Sequence, residues 1–175
     1  MINKIANIVL VGPMGSGKTS VGRRLACVLK RDFFDSDFEI VARTGVSIDH
    51  IFDVEGEEGF RQRETSMLSE LCDISNIVIA TGGGIVIKAE NRVLLKNNSF
   101  VVYLASSVEQ LVMRTARSKS RPLLEKSTNR EQTIRDILEA REPLYQEVAD
   151  VVIDTTGKKL YAIINEIKKL YAIIN

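Results

Sequence analysis

The run Gly12-Pro13-Met14-Gly15-Ser16-Gly17-Lys18-Thr19 carries the residue types that bind a phosphate chain. It fits G-x-x-x-x-G-K-[ST], follows the apolar run Ile8-Val9-Leu10-Val11 and opens a helical pattern, which is the context the motif needs. Glycines let successive backbone N–H groups turn inward around phosphate oxygens, and a helix N-terminus adds its positive dipole end. The expected nucleotide contacts are Gly15, Ser16, Gly17, Lys18, Thr19 and Ser20. Lys18 would reach the β- and γ-phosphates, and the Thr19 hydroxyl would ligate Mg²⁺. A glycine-rich turn without a ligand would require motif, strand and helix to coincide by accident. The phosphate therefore belongs to a nucleoside triphosphate.

A second set of residues suits an acceptor. The next strand pattern ends Phe33-Phe34-Asp35-Ser36-Asp37, and strand alternation predicts that Asp35 and Asp37 point the same way, towards the phosphate loop. One carboxylate there can serve the metal shell while the other receives a hydroxyl. Glu64 falls on an apolar helical face four residues after Phe60, with Arg61 one turn before it, and Arg141 interrupts another apolar stripe. Charges on buried faces are costly unless paired. They are either structural ion pairs or a guanidinium clamp for a carboxylate, which an arginine fork fits. Thr81-Gly82-Gly83-Gly84 exposes backbone amides to close approach. Arg114, Arg117, Lys119, Arg121, Lys126 and Arg130 surround the aperiodic stretch Ser118–Ser127. A solvated basic loop would account for them, and a lid that brings an arginine to the γ-phosphate accounts for them better.

These residues need a scaffold. Strands are expected at Ile5–Val11, Asp32–Ser36, Ile77–Ala80, Phe100–Ala105 and Val151–Asp154. Helical faces lie between them: Val21, Leu25, Val28 and Leu29; Phe60, Met67, Leu68 and Leu71; Val108, Leu111, Val112 and Thr115; Ile134, Ile137, Leu138 and Tyr145. Ser107 with Gln110 and Thr128 with Glu131 have the spacing of capping boxes. Alternating strands and helices imply an α/β fold with a parallel sheet covered on both faces, whose ligands sit beyond the C-terminal strand ends. The octapeptide KKLYAIIN occurs at Lys158–Asn165 and again at Lys168–Asn175. Its apolar residues Leu160, Ile163, Ile164, Ile167, Tyr171 and Ile174 make one stripe, so a single closing amphipathic helix is expected.

Composition excludes several classes. The chain has 175 residues, enough for one domain with a sizeable core, and a formal net charge of +1 draws it to neither nucleic acid nor acidic lipid. No apolar run approaches the ~20 residues of a membrane span. No signal peptide is expected, and the cytoplasm is the expected compartment. Cys27 and Cys72 are too far apart for a metal motif and read as two core thiols, and the lone His50 has no partner motif. Asp53-Val54-Glu55-Gly56 fits the D-x-x-G of a nucleotide switch, but it lies between helical patterns and no N-K-x-D accompanies it.

The phosphate loop, Asp35-Ser36-Asp37, Gly59-Phe60-Arg61, Gly82-Gly83-Gly84, Arg121-Pro122-Leu123 and Arg141-Glu142-Pro143-Leu144-Tyr145 occur together in an order and spacing that resemble the shikimate kinases, from the first strand to about Thr156. The resemblance implies a three-layer α-β-α fold of nucleoside monophosphate kinase type, with a five-stranded parallel sheet in the order 2-3-1-4-5. It implies one kinase domain, with substrate bound by about residues 35–64 and a lid at about 115–128. The implied reaction is transfer of the ATP γ-phosphate to the 3-hydroxyl of shikimate with Mg²⁺, by a monomer. It assigns Asp37 to the shikimate hydroxyls, Arg61 and Arg141 to the carboxylate, and Gly83 to a backbone contact between Gly82 and Gly84. Lys18 and Arg121 are assigned to the transferring phosphoryl group, Thr19 and Asp35 to the metal, and Arg114 to the adenine side. The chain departs from the pattern at Thr19-Ser20, where Ser then Thr is common, and at Gly157-Lys158-Lys159, which lacks a proline. A gluconate or nucleoside monophosphate kinase, or an ATP-binding regulatory module without chemistry, are the competing readings.

Overall fold

The computed structural model describes residues 7–116 and 129–174. In chain order its elements are β1 (Asn7–Val11), α1 (Lys18–Leu29), β2 (Asp32–Asp35), α2 (Ser36–Thr44), α3 (Ile48–Asp73), β3 (Ile77–Ala80), α4 (Ala89–Asn98), β4 (Ser99–Ala105), α5 (Val108–Thr115), α6 (Arg130–Val148), β5 (Val151–Asp154) and α7 (Leu160–Ile174). The strands form one parallel sheet in the order β2-β3-β1-β4-β5, as expected.

The central strand shows why the sheet is covered on both sides. Val9 and Val11 enter the core beneath α3 and α4, while Ile8 and Leu10 enter the core beneath α1 and α7. Alternation thus feeds two cores from one continuous apolar run. Each fully buried aliphatic side chain of this kind stabilises by about 1.5–3 kcal/mol. The strand begins with a buried polar residue. Asn7 donates from Nδ2 to the Ile74 carbonyl and accepts at Oδ1 from the Ile77 amide at 3.1 Å, clipping the start of β3 to the start of β1.

Local chemistry moves several expected boundaries. Ser36, expected in the second strand, begins α2, because Asp35 turns the chain: its Oδ1 accepts from the amides of Asp37 (3.1 Å) and Phe38 (3.4 Å). Strand alternation therefore does not align Asp35 with Asp37, which sits in the first helical turn. Asn129, not Thr128, caps α6 by accepting from the Gln132 amide, and Thr128 lies outside the described residues. Ser107 caps α5 as its spacing predicts. Cys72 is buried, but Cys27 is exposed, and Val28 beside it is 39% exposed. The face of α1 that meets the sheet is Val21, Leu25 and Ala26, and a rotation of 100° per residue turns Cys27 and Val28 away from it.

In α7, Ile163, Ile164 and Ile167 are buried, and Tyr171 packs edge-on to Phe100 while its hydroxyl accepts from Arg31. The ends of the expected stripe, Leu160 and Ile174, are exposed. The D-x-x-G tetrad lies inside α3 and ends at Gly56, whose backbone (φ 71°, ψ −177°) kinks the helix in a conformation essentially restricted to glycine. No described helix is long and apolar enough to cross a membrane.

Replacing Asn7 by Ala strands the buried Ile77 amide. Asn7→Ala is expected to lose about 1–3 kcal/mol of unfolding free energy in urea titration, with an unchanged m-value.

Candidate active site

Three loops converge at the C-terminal edge of the sheet. The loop after β1 carries the phosphate motif, and Gly17 closes it as the N-cap of α1 in a left-handed conformation (φ 94°) that a side chain would strain. Lys18 is buried, and its Nζ donates to the carbonyls of Gly12 (2.7 Å) and Pro13 (2.8 Å), so the ammonium lies across the loop. The Thr19 hydroxyl donates to Asp35 Oδ2 at 2.7 Å. The buried Ser16 hydroxyl has no partner among the described residues.

A cavity of about 600 Å³ opens beside this loop. Of the residues expected to act, Gly15, Gly17, Lys18, Thr19, Ser20, Asp35, Asp37, Arg61, Gly82, Gly83, Gly84 and Arg141 all line it. Glu64 lines it as well, and Phe38, Val41, Ile48, Phe52 and Phe60 give it an apolar wall. Phe52 and Phe60 pack with ring centroids 4.9 Å apart. Sequence reasoning missed the role of these aromatics because helical spacing marks them only as core. Arg114 stands on the other side of the phosphate loop, where Nη1 donates to the Gly15 carbonyl at 3.2 Å. Arg121 and the expected lid lie outside the described residues.

The charges in the cavity are organised by α3. Arg61 and Glu64 face the same way one turn apart and pair at 2.8 Å, with Glu64 wholly buried and Arg61 nearly so. Glu57, one turn earlier, holds the other edge of the guanidinium at 3.1 Å, a partner the sequence reading did not identify. Burial works against the Arg61 charge, but Glu64 and Glu57 outweigh it and its pKa is raised. Burial raises the Glu64 pKa despite the pull of Arg61 and Arg141. Asp37 is half-buried as a residue, yet Oδ1 is fully shielded and unpartnered among the described residues, as is Glu64 Oε1. Burial, then the neighbouring charges of Glu64 and Asp35, push Asp37 up to about 7, with Lys18 and Arg61 opposing.

The glycines after β3 let these groups meet. A Cβ on Gly82 would lie 2.8 Å from Asp37 Oδ1 and 2.9 Å from Glu64 Oε1, and one on Gly84 would lie 2.2 Å from Arg61 Nη1. Gly83 runs beside the Met14 amide of the phosphate loop and beside Arg141. The Ser36 hydroxyl accepts from the Gly82 amide at 3.3 Å, fixing the loop to the start of α2. On the far side, where the sequence lacks a proline, Gln110 clamps the chain after β5. Its Nε2 donates to the Thr155 carbonyl (3.2 Å) and its Oε1 accepts from the Gly157 amide (2.9 Å). Such a clamp joins residues 47 apart and leaves no local signal in the sequence.

This geometry can hold a triphosphate at one end and a small polyhydroxy acid at the other. The described residues contain no group of three or more His, Cys, Asp or Glu side chains arranged for a metal. The Thr19 hydroxyl and the Asp35 carboxylate, 2.7 Å apart, are oxygen donors of the kind that would hold a magnesium ion beside a phosphate chain.

The shikimate kinase family model matches residues 14–172. The shikimate kinase of Chromohalobacter salexigens is 53% identical over 163 residues, covering 93% of this chain and 90% of that protein. A solved structure of shikimate kinase from Acinetobacter baumannii in complex with shikimate superposes with a TM-score of 0.94 at 49% identity, covering 97% of this chain and 94% of the other. A gluconokinase from Sinorhizobium meliloti shares the fold at a TM-score of 0.65 and 20% identity, over 98% and 94% of the two chains. Family model, sequence identity and fold agree across nearly the whole length, and the chain belongs to the shikimate kinase family.

Proposed function

We propose that this site transfers the γ-phosphoryl group of ATP to the 3-hydroxyl of shikimate, the reaction of the family, through the residues that line the cavity. The observation that carries the assignment is the convergence of Asp37, Arg61 and Arg141 on the glycine loop beside Lys18. Two guanidinium groups suit the acceptor's carboxylate and a carboxylate suits its hydroxyls. The backbone amides of the glycine loop add uncharged donors. A gluconokinase has the same fold, so the fold alone does not choose the acceptor.

The acceptor hydroxyl bonds to the γ-phosphorus as the bond from that phosphorus to the ADP oxygen breaks. Asp37 orients the hydroxyl and receives its proton, and raising its pKa to about 7 makes it a better proton acceptor than an ordinary carboxylate. The transition state is loose, so positioning and charge stabilisation dominate. Lys18 supplies one positive charge at the transferring group, and Arg121 of the lid is assigned the other. Mg²⁺ held by Thr19 and Asp35 would neutralise charge on the phosphates. Arg114 flanks the nucleotide. The protein acts as a monomeric, single-domain cytoplasmic enzyme on small molecules, with its acceptor region at about 35–64 and its lid at about 115–128.

ADP release with Mg-ATP against shikimate, gluconate, AMP, CMP and no acceptor tests the assignment. Release with shikimate alone is expected, and release with gluconate or a nucleotide instead would overturn it. Arg141→Ala should raise the shikimate KM by about 10- to 100-fold, the loss expected of one charge-assisted hydrogen bond, with the ATP KM changed less than twofold. Comparable effects on both would remove Arg141 from the acceptor site.

Asp37→Asn should cut kcat by at least about 100-fold while leaving ATP affinity near normal. The same variant has a stability signature. Free native enzyme keeps the Asp37 proton to about pH 7, whereas the unfolded chain releases it near its ordinary value of 3.8. Between these values the native state binds more protons, so stability falls as pH rises. Ligand-free Asp37→Asn should therefore gain on the wild type from pH 4 to pH 7, by up to about 4 kcal/mol above pH 7. A constant difference across that range would mean Asp37 is not held protonated.

A further inference from the structure

Beneath the glycine loop, outside the cavity, lies a hydroxyl that the mechanism above does not use. Tyr145 is fully buried, and its Oη donates to the Gly83 carbonyl. Its ring stacks on Tyr103 of β4 with centroids 5.1 Å apart and 25° between planes. Tyr103 is paired in register with Val11 of β1, the residue before the phosphate loop. The hydroxyl is therefore fixed by the rigid centre of the sheet. Burial pushes its pKa up to about 12 against the charge of Arg141 and a hydrogen bond with that guanidinium, so it remains a donor over any working pH.

The peptide between Gly83 and Gly84 carries the consequence. In a trans peptide the carbonyl and the following N–H point in opposite directions. Gly83 and Gly84 line the cavity and Tyr145 does not. A Gly83 carbonyl drawn down onto Tyr145 thus turns the Gly84 N–H up towards the cavity. Neither the Gly83 nor the Gly84 amide donates to another described residue. Arg141 is one helical turn before Tyr145 on α6, and its Nη1 lies 3.8 Å from where a Gly83 Cβ would be. One face of α6 therefore both supplies a guanidinium and orients the neighbouring amide.

We propose that Tyr145 is a positioning residue for the acceptor: its hydroxyl holds the Gly83–Gly84 peptide so that the Gly84 amide and Arg141 together receive the acceptor's carboxylate. Resting on the shikimate reading, it adds a residue that never touches the substrate. The Ile85 amide on the Gly82 carbonyl (3.3 Å) and the Ile87 amide on the Gly84 carbonyl (3.0 Å) close the turns around this peptide. The plane of a glycine peptide at the centre of such a turn can still flip, and the hydroxyl selects one of its two orientations.

The test is Tyr145→Phe, which keeps the ring and its stack on Tyr103, assayed beside Arg141→Ala in the full-length enzyme with Mg-ATP. Tyr145→Phe should raise the shikimate KM roughly five- to thirty-fold, the effect of one misplaced hydrogen bond, while kcat falls less and the ATP KM stays within about twofold. An unchanged shikimate KM for Tyr145→Phe, with the expected rise for Arg141→Ala, would overturn the role of Tyr145 and leave the carboxylate site standing. If neither variant raises it, the carboxylate site itself is wrong. Equal rises in both KM values with a lowered Tm would make Tyr145 a structural residue only, and also overturn the proposal. Should Tyr145→Phe fail to fold, 3-fluorotyrosine at position 145 alone retains the packing and alters the strength of the donor. A shift of at least about twofold in shikimate KM with ATP KM unmoved supports the proposal, and no shift overturns it.

Discussion

Gly82, Gly83 and Gly84 run through a space that side chains from α2, α3 and α6 and the backbone of the phosphate loop have already filled. The carboxylates of Asp37 and Glu64 press on the first, the phosphate loop and Arg141 on the second, and the Arg61 guanidinium on the third. A methyl group at Gly84 would lie 2.2 Å from Arg61 Nη1. Because the backbone is bare there, α2, α3, α6 and the phosphate loop can all bring charged groups to one cavity. The glycine loop also follows a fully buried strand, β3, paired on both sides, so its starting point cannot drift.

The cavity is crowded with charge of both signs. Lys18, Arg61 and Arg141 face Asp35, Asp37 and Glu64. Taking such groups from water costs several kcal/mol each, and pairing recovers that only where geometry is good. Arg61 and Glu64 meet the condition at 2.8 Å, with Glu57 on the other edge of the guanidinium. Asp37 does not, since one of its oxygens is buried without a partner among the described residues and two carboxylates lie near it. The strained member of the cluster is thus the one assigned to the reacting hydroxyl. The surrounding sheet, with both faces of β1 buried, supplies the stability against which that strain is held.

How much of this could be read from the chain depended on the distance over which each feature is encoded. The phosphate loop is contiguous, and its residue types carry its geometry. Arg61 and Glu64 emerged because a helix has a fixed period, so a charge on an apolar face is visible. Asp35 and Asp37 were brought together for the wrong reason. The expected strand alternation ended one residue early, when Asp35 folded back to cap α2. That capping potential is written in Asp35 itself but competes with the strand signal of Phe33 and Phe34. Asn129 and Thr128 are adjacent capping residues, and sequence alone does not choose between them. Cys27 and Val28 looked internal because both are apolar, whereas only helix rotation against neighbouring elements sets exposure. The Gln110 clamp and the Tyr145 hydroxyl join residues 47 and 62 apart, and no local pattern encodes either.

The sheet order explains why so few side chains decide the acceptor. With β1 central, the phosphate loop has β3 on one side and β4 on the other. On the β3 side lie α2, α3 and the glycine loop, which build the acceptor cavity, and on the β4 side lie α5 and the chain after β5. Under the proposed assignment, the sheet centre separates the acceptor from the nucleotide side, with the phosphate loop between them. A gluconokinase shares this fold at 20% identity. What can differ between such enzymes is the set of groups projecting from α2, α3 and α6 towards the glycine loop. In this chain they are a carboxylate beside the phosphate loop and two guanidinium groups, one braced by Glu64 and the other followed one turn later by Tyr145. Under that assignment the fold sets where the acceptor lies, and those few side chains choose it.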